Sequence, residues 1–592
     1  MKFSVKHILL FALIALLTLP VFQHGTKLFN IRPLDGDFIL SLRPQYTWKT
    51  WMNGTFQSQF NNYLEDHIGF RSFFVRLNNQ LDFFLFKKAN AEGIVVGKNN
   101  MLFEYDYIRA LNGRDFIGKS TIDKKLLRLK FLQKHFKENF DIDFLLILEP
   151  SKARTYPEYL PKHYQEMKKT MSNYEYIGSR LNDLEIKHLD LNRLFINAKD
   201  TASYPVYPLY GTHWSEFTMS FVADTLIQFF ETMRNINMPG YKIEMVISDT
   251  LHPMDYDGGR TLNILLKLPH QPMAYPVFTF DDNGNDKIRP MVLAVADSYY
   301  WNFFNTRIPL HLFANEAFWY FNAKVYPDFY YSEKWTKDLN LQNEVEKQNI
   351  IILSITERFL YNMGWNFIDQ LYDIYTPEYT GNLVYNYENA IRLNADWFNN
   401  VLQKAEKEKM SLEKAIYKEA YYQAFVNEPE TFLTWYGDDH FRSVISNDKN
   451  WSSAVRTKAS EAGITFEEQL TKDAEWVFEK EYPEIFKLNK LIANYKTQIT
   501  KDSLWFAAVS EKAQKYFMPV EEMLNLDAEY IARQEASKSF DKEERVQVYI
   551  QSIKENPEWL EVVIKKAAEQ GKSIEEMIRE DAIFMVDQEL KK

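Results

Sequence analysis

Apolar and polar positions along this 592-residue chain change rhythm twice, so that three stretches predict three kinds of structure. The first is an uncharged run from His7 to His24 whose apolar heart covers residues 8–19, preceded by Lys2 and Lys6. A helix apolar all round suits a membrane rather than a globular surface. Basic residues ahead of such a run are the marks of an export signal. No small-x-small cleavage site follows, because the run leaves through Leu19-Pro20-Val21-Phe22-Gln23. The expectation is therefore an uncleaved signal anchor over residues 1–26, with a cleaved peptide and a buried helix as alternatives. The positive-inside rule puts Lys2 and Lys6 in the cytoplasm and the bulk of the chain outside.

The second rhythm fills residues 27–380. Residues 56–86 read as amphipathic helix, and Gly93-Ile94-Val95-Val96 with Met101-Leu102-Phe103, split by Gly97-Lys98-Asn99-Asn100, reads as a hairpin. Helical periodicity returns over 121–140 and 216–233. Between these lie short, largely apolar runs: Phe144-Leu145-Leu146-Ile147-Leu148, Met291-Val292-Leu293-Ala294-Val295 and Ile350-Ile351-Ile352-Leu353-Ser354. Runs of that length suit strands buried on both faces of a parallel sheet. Strands alternating with helices predict an α/β sandwich with a mainly parallel sheet.

From 385 to 592 the β-branched runs vanish and a repeat takes over. Trp397, Trp451, Trp505 and Trp559 stand 54 residues apart. The same step relates Ile391, Ile445, Ile499 and Ile553, and also Ala420, Ala474, Ala528 and Ala582. Three residues before each Trp is a short Asx side chain (Asn394, Asp448, Asp502, Asn556), of the kind that caps a helix. The Trp and the Ala eight positions on fall on one helix face. Second helices are expected near Ser411, Thr465, Pro519 and Ser573, and a third over 484–499. This predicts an all-α domain of four repeats that stack to bury what one unit cannot. It offers a surface for a protein partner, or simply a stabilising appendage.

Composition narrows the chemistry. The net charge is -11 with no clustered Lys and Arg, which argues against nucleic acid. The absence of cysteine removes disulfides, thiolate metal sites and cysteine nucleophiles. No P-loop, H-E-x-x-H, paired zinc-ligand spacing or dinucleotide Gly fingerprint is present, so neither a metal nor a cofactor is expected.

Two short segments carry candidate chemistry. In Leu293-Ala294-Val295-Ala296-Asp297-Ser298-Tyr299 a serine follows a buried strand, at the carboxyl edge where open α/β sheets bind ligands. There the following backbone N–H groups can face an oxyanion. In Tyr210-Gly211-Thr212-His213-Trp214-Ser215 a histidine precedes a helix, and a neutral imidazole can take a hydroxyl proton and return it. Structural readings compete with both: Asp-Ser often opens helices, and a lone His is often core.

Together these segments resemble the AlgJ/AlgX family, which has an SGNH-hydrolase-like fold and carries a D-x-H-W element before its Ser block. Glu149-Pro150-Ser151-Lys152 through Tyr156-Pro157-Glu158-Tyr159-Leu160-Pro161 is similar to that family's Pro-x-Lys…Tyr-Pro-Glu…Leu-Pro segment. Val96-Gly97-Lys98 with Leu102-Phe103, and Leu64-Glu65-Asp66 with Phe70-Arg71, match further elements over roughly residues 50–370. The resemblance implies a three-layer sandwich and O-acetylation of a cell-surface polysaccharide. Ser298 would be the nucleophile, His213 the base, and a membrane acyltransferase the acyl source. It also implies a periplasmic protein held at the inner membrane, or secreted if the signal is cleaved. The family's Asp two before the His is Gly211 here. Asp255, Asp257 or Asp297 must then supply the third carboxylate, or the protein is an inactive polysaccharide- or protein-binding scaffold. An acetylesterase of the same fold is the remaining alternative.

Overall fold

A computed structural model describes residues 4–36, 39–281, 286–377 and 382–589. Lys2 and the expected region ends at residues 380 and 592 lie outside them. The chain divides into two compact units: residues up to Ile374 with Leu402–Glu413, and Tyr375–Val401 with Lys414 onward.

The first unit begins with helix α1, Val5–Thr26, long and apolar enough to cross a membrane. The amphipathic stretch expected over 56–86 is two helices, α2 (Thr55–His67) and α3 (Arg71–Phe86), broken where Ile68 turns extended and Phe70 takes positive φ. The expected hairpin is present as antiparallel β1 (Ile94–Val96) and β2 (Leu102–Glu104).

Among the described residues the main sheet has six strands in the order β4-β3-β10-β7-β8-β9. These are β3 Asp143–Glu149, β4 His188–Asp190, β7 Val292–Ala296, β8 Ala317–Tyr320, β9 Lys324–Tyr326 and β10 Ile350–Thr356. All pairs are parallel except β8 with β9. The three apolar runs are its centre: every residue of β3, β7 and β10 is buried. Helix α4, Lys119–Phe140, packs Leu126, Leu129 and Phe136 inward, and α5, Glu216–Arg234, does the same with Val222, Leu226 and Phe230. The fold is thus an α/β unit with a mixed, mostly parallel sheet.

One large element escaped the hydrophobic pattern. Strands β5 (Gly240–Ser248) and β6 (Met273–Asp281) form a separate antiparallel ribbon. Its outer half is exposed, so no buried run announces it. A two-stranded ribbon is marginal alone. Tyr241, Phe278 and Phe280 lean on the main core, and Tyr241 Oη donates to Asp224 on α5 at 2.6 Å. The connection between its strands, residues 249–272, reaches the candidate site.

The second unit, described by itself, is all helical. Asn394, Asp448, Asp502 and Asn556 each accept a bond from the N–H of the Trp three residues on, at 2.8–3.2 Å. Helices Leu412–Asn427, Phe466–Glu481, Val520–Glu555 and Ile574–Glu589 start one residue after the expected positions. Lys458–Asp473, Lys512–Asp527 and Lys566–Asp581 form the same pair, each across 15 residues. Ile391, Ile445, Ile499 and Ile553 are fully buried, as are Ala420, Ala474, Ala528 and Ala582. The tryptophans are only half-buried. The packed stripe is instead Val455, Val509 and Val563 with Ala459, Ala513 and Ala567, four residues apart on each helix.

Candidate active site

Strand β7 ends at Ala296, and the next two residues leave the sheet at its carboxyl edge. Asp297 is wholly buried. Its Oδ2 accepts from the Thr356 N–H (2.9 Å) and hydroxyl (2.7 Å) at the end of β10, and its Oδ1 from the Tyr299 N–H at 3.0 Å. That clamp sets the turn which lifts Ser298 out of the core. Behind it, burial and the Asp297 charge push the Glu149 carboxyl well up. Glu149 in turn accepts from Ser354 Oγ at 2.5 Å.

His213 sits just before α5, whose first turn is capped by Ser215 Oγ accepting from the Thr218 N–H at 3.2 Å. Two bonds join this segment to the serine turn. Tyr299 Oη donates to the Thr212 carbonyl at 2.9 Å, and Asn302 Nδ2 donates to the Trp214 carbonyl at 2.8 Å. They grip the residues on either side of His213, so the imidazole is located relative to Ser298 by the backbone on both its flanks. The result is a 2.9 Å contact between His213 Nε2 and Ser298 Oγ, across 85 positions of sequence.

The other ring nitrogen, Nδ1, lies 2.7 Å from Asp257 Oδ2. Asp257 Oδ1 accepts from the N–H groups of Thr212 (2.7 Å) and Gly258 (2.6 Å). Burial pushes this carboxyl up, but the His213 ring and the two N–H groups pull harder, and it settles below its ordinary value. An ionised Asp257 fixes the proton of the neutral ring on Nδ1 and leaves Nε2 to accept from the serine.

Three carboxylates were candidates for this place, and only Asp257 takes it. Asp297 is corrected as a site carboxylate, since both its oxygens are committed to Tyr299 and Thr356. Asp255 is corrected too. It is fully buried, and Oδ2 accepts from Tyr275 Oη on β6 at 2.7 Å. Burial raises its pKa to about 6. Its job is to hold the ribbon connection, together with His252, which stacks on Tyr275 and bonds Glu216 of α5 at 2.8 Å.

Gly211 now has a physical reason. A Cβ there would lie 2.5 Å from the Met254 carbonyl and 2.7 Å from Pro208 Cγ. The segment that delivers Asp257 occupies the space an aspartate at 211 would need. Gly259 N–H ties that segment to the Tyr210 carbonyl at 2.8 Å. Sequence reasoning also missed Lys152 as a part of this frame. Its Nζ donates to the carbonyls of Pro208 (2.5 Å), Leu209 (2.9 Å) and Gly211 (2.9 Å), and burial pulls its pKa down to about 7. Glu104 completes it, accepting from Thr212 Oγ1 at 2.8 Å and pairing with Arg358. A buried lysine after Glu-Pro-Ser was the available signal. Among the described residues no cluster fits a metal ion.

Residues 94–248 match the family model described as SGNH hydrolase-like domain, acetyltransferase AlgX. That stretch contains His213 but ends before Asp257 and Ser298. A search of curated proteins finds no match. Among solved structures, the O-acetyltransferase domain of Pseudomonas putida AlgJ is 18% identical, covering 45% of this chain and 92% of that one, with a TM-score of 0.31. Pseudomonas aeruginosa AlgX is 12% identical, covering 47% and 67%, with a TM-score of 0.31. Bacillus cereus PatB1 is 12% identical, covering 45% and 96%, with a TM-score of 0.27. Likenesses at that level say nothing about this chain's site. The family match shows that residues 94–248 are similar to the SGNH hydrolase-like domain of the AlgX acetyltransferase family, and the mostly parallel sheet just described is the fold that this similarity leads one to expect.

Proposed function

We propose that this protein transfers acetyl groups to hydroxyls of a cell-surface polysaccharide through Ser298, His213 and Asp257. The observation that carries the reading is the continuous chain of contacts from Asp257 through both nitrogens of His213 to Ser298 Oγ. In the first half-reaction Ser298 Oγ attacks the acyl carbonyl while His213 Nε2 takes the hydroxyl proton. Asp257 balances the imidazolium so formed. The Ser298 N–H has no acceptor among the described residues and can donate to the oxyanion. Collapse expels the donor's leaving group, which takes the proton from Nε2, and leaves an acetyl-serine. In the second half a sugar hydroxyl gives its proton to Nε2 and attacks the ester carbonyl; collapse breaks the bond to Ser298 Oγ, which takes that proton back from Nε2. Water in place of the sugar would make the same site an esterase.

In this reading α1 anchors the protein on the outer side of the inner membrane, and a membrane acyltransferase supplies the acetyl group. The helical unit is read as four repeats, which the recurring Lys–Asp pairs support, and its role in this reading is to present a surface to a protein partner.

The test is Ser298→Ala in the purified protein, with a chromogenic acetyl ester as donor and an oligosaccharide as acceptor. Loss of both acetyl-serine formation and transfer, with unfolding behaviour unchanged, is the expected result. Undiminished transfer would end the reading. Transfer exceeding hydrolysis when acceptor is added separates transferase from esterase.

A further inference from the structure

Helix α3 has two opposite faces, and only one is used by the protein. Arg76, Asn79 and Phe83 face the domain. Asn79 Nδ2 donates to the carbonyls of Leu262 (3.0 Å) and Asn263 (3.2 Å), Arg76 donates to the Pro33 carbonyl at 2.6 Å, and Phe83 joins a buried cluster with Leu102 and Tyr210. On the other side Phe73, Phe74, Leu77, Leu81, Phe84 and Leu85 lie within an arc of about 120° and all are exposed. Phe84 is 72% and Leu85 64% exposed, so this face has no cover among the described residues. A soluble surface does not carry such a stripe without a partner.

What covers it follows from where α3 begins. The elbow between α2 and α3 is pressed against the last turns of α1. A Cβ on Gly69 would lie 2.2 Å from the Pro20 carbonyl and 2.7 Å from Gln23 Cβ. His24 Nδ1 lies 2.6 Å from the His67 carbonyl. If α1 spans a bilayer, as the proposed anchoring has it, Pro20–His24 leave the hydrocarbon at the outer surface, and α3 starts there too. Its far end carries Lys87 and Lys88, and the turn Trp48–Met52 ahead of it exposes Trp48 and Met52. Aromatic and basic residues around an apolar helical stripe are the composition of an interfacial helix.

We infer that α3 lies in the outer leaflet of the membrane, with Phe73, Leu77, Leu81 and Phe84 toward the acyl chains and Lys87 and Lys88 at anionic headgroups. The inference rests on the anchoring reading. Two consecutive attachments, a span and a surface helix, would hold the α/β unit in one orientation on the membrane rather than let it swing on a tether. The candidate site would then stand at a fixed height above the bilayer.

The absence of cysteine makes the test direct, since any introduced thiol is unique. Full-length Leu13→Cys, Leu81→Cys, Phe84→Cys and Glu166→Cys proteins are labelled with an environment-sensitive fluorophore and reconstituted in phosphatidylethanolamine–phosphatidylglycerol vesicles. Doxyl-lipid and aqueous iodide serve as quenchers. Labels at 13, 81 and 84 are expected to lose most of their emission to doxyl-lipid and little to iodide, with 166 the reverse. Lipid quenching at 13 with iodide quenching at 81 and 84 would overturn the inference while leaving the anchor intact. Shielding of 81 and 84 from both quenchers would mean a protein partner and would also overturn it. A label at 13 that is lost with a cleaved peptide or stays open to iodide defeats the anchor reading first, and this inference with it.

Discussion

The α/β unit and the helical unit are built on opposite uses of sequence distance. In the helical unit the recurring bonds are local: a cap across three residues, an ion pair across 15. In the α/β unit the bonds that make the site span 44, 59 and 85 residues. Local bonds tolerate repetition, because each stretch of chain carries its own instructions. Long-range bonds require the whole sheet and ribbon to be in place before a serine, an imidazole and a carboxylate can meet. Stability can be assembled piecewise, whereas this chemistry cannot.

The sharpest way to break that contrast is at Asp257. In Asp257→Asn the Thr212 and Gly258 N–H groups still demand the side-chain oxygen, so the amide presents its NH₂ to His213 Nδ1. The ring is driven to the tautomer whose Nε2 carries a proton and cannot accept from Ser298. A fall in kcat of about 10⁴-fold is expected, with little change in urea unfolding at pH 7. Asp255→Asn and Asp297→Asn serve as comparisons: they weaken hydrogen-bonded frames, so stability should fall along with rate. If all three lose rate alike without losing stability, the assignment of Asp257 is wrong.

Gly211→Asp comes next. Placing a carboxylate two residues before His213 should not rescue Asp257→Asn, because the Met254 carbonyl and Pro208 ring fill the space. The expected effect of Gly211→Asp alone is destabilisation of about 1–3 kcal/mol by overpacking, read from denaturant midpoints. Recovery of activity in the double variant would show that the 253–259 segment yields easily.

The α/β unit also offers a pH test. Asp115 is 1% exposed, neither oxygen has a side-chain hydrogen-bond partner among the described residues, and burial, outweighing the Arg109 charge, raises its pKa to about 7. The folded state therefore holds a proton that the unfolded chain releases near pH 4. Linkage then makes this group cost stability as pH rises from about 4 to 7, with the full cost present above the folded value. Asp115→Asn should change little at pH 4 and stabilise by about 1–3 kcal/mol at pH 8, measured by urea unfolding at both. A variant equally stable relative to wild type at both pH values would refute the buried, unpaired carboxyl.

How far the sequence could be read follows the same contrast. Buried strands announce themselves as apolar runs, so β3, β7 and β10 were legible nearly to the residue. Ser298 and His213 were legible as neighbours of a strand end and a helix start. The ribbon was not, because β5 and β6 are half-exposed and interrupted by Lys, Glu and Pro. With the ribbon hidden, nothing could rank Asp257 above Asp255, two positions away, since their difference is the direction each side chain takes from a connection whose ends are invisible in sequence. Asp297 misled for the opposite reason: adjacency along the chain made it look like part of the chemistry, but a residue next to an outward-facing serine points inward. In the helical unit the period was plain, and the repeated Ile and Ala positions do lie in the core. Only the tryptophans are less buried than their repetition suggests, the stripe beside the Ala positions being completed by Val455, Val509 and Val563, whose type is too common for its spacing to stand out.

The smallest expected effect tests whether the helical unit is as local as it looks. Asp448 caps Lys449–Ala462 by accepting from the Trp451 N–H at 2.8 Å. Asp448→Ala leaves that N–H to water and removes a negative charge from the positive end of the helix, at a cost of about 1 kcal/mol. Because the Lys458–Asp473 pair and the Val455–Ala459 stripe remain, amide exchange should accelerate only in the first turn of that helix and its immediate neighbours. Acetyl transfer at Ser298 should not change. Faster exchange spreading across residues 383–589 would mean that the helices unfold as one cooperative body, and that the scaffold, like the site, depends on distant parts being in place together.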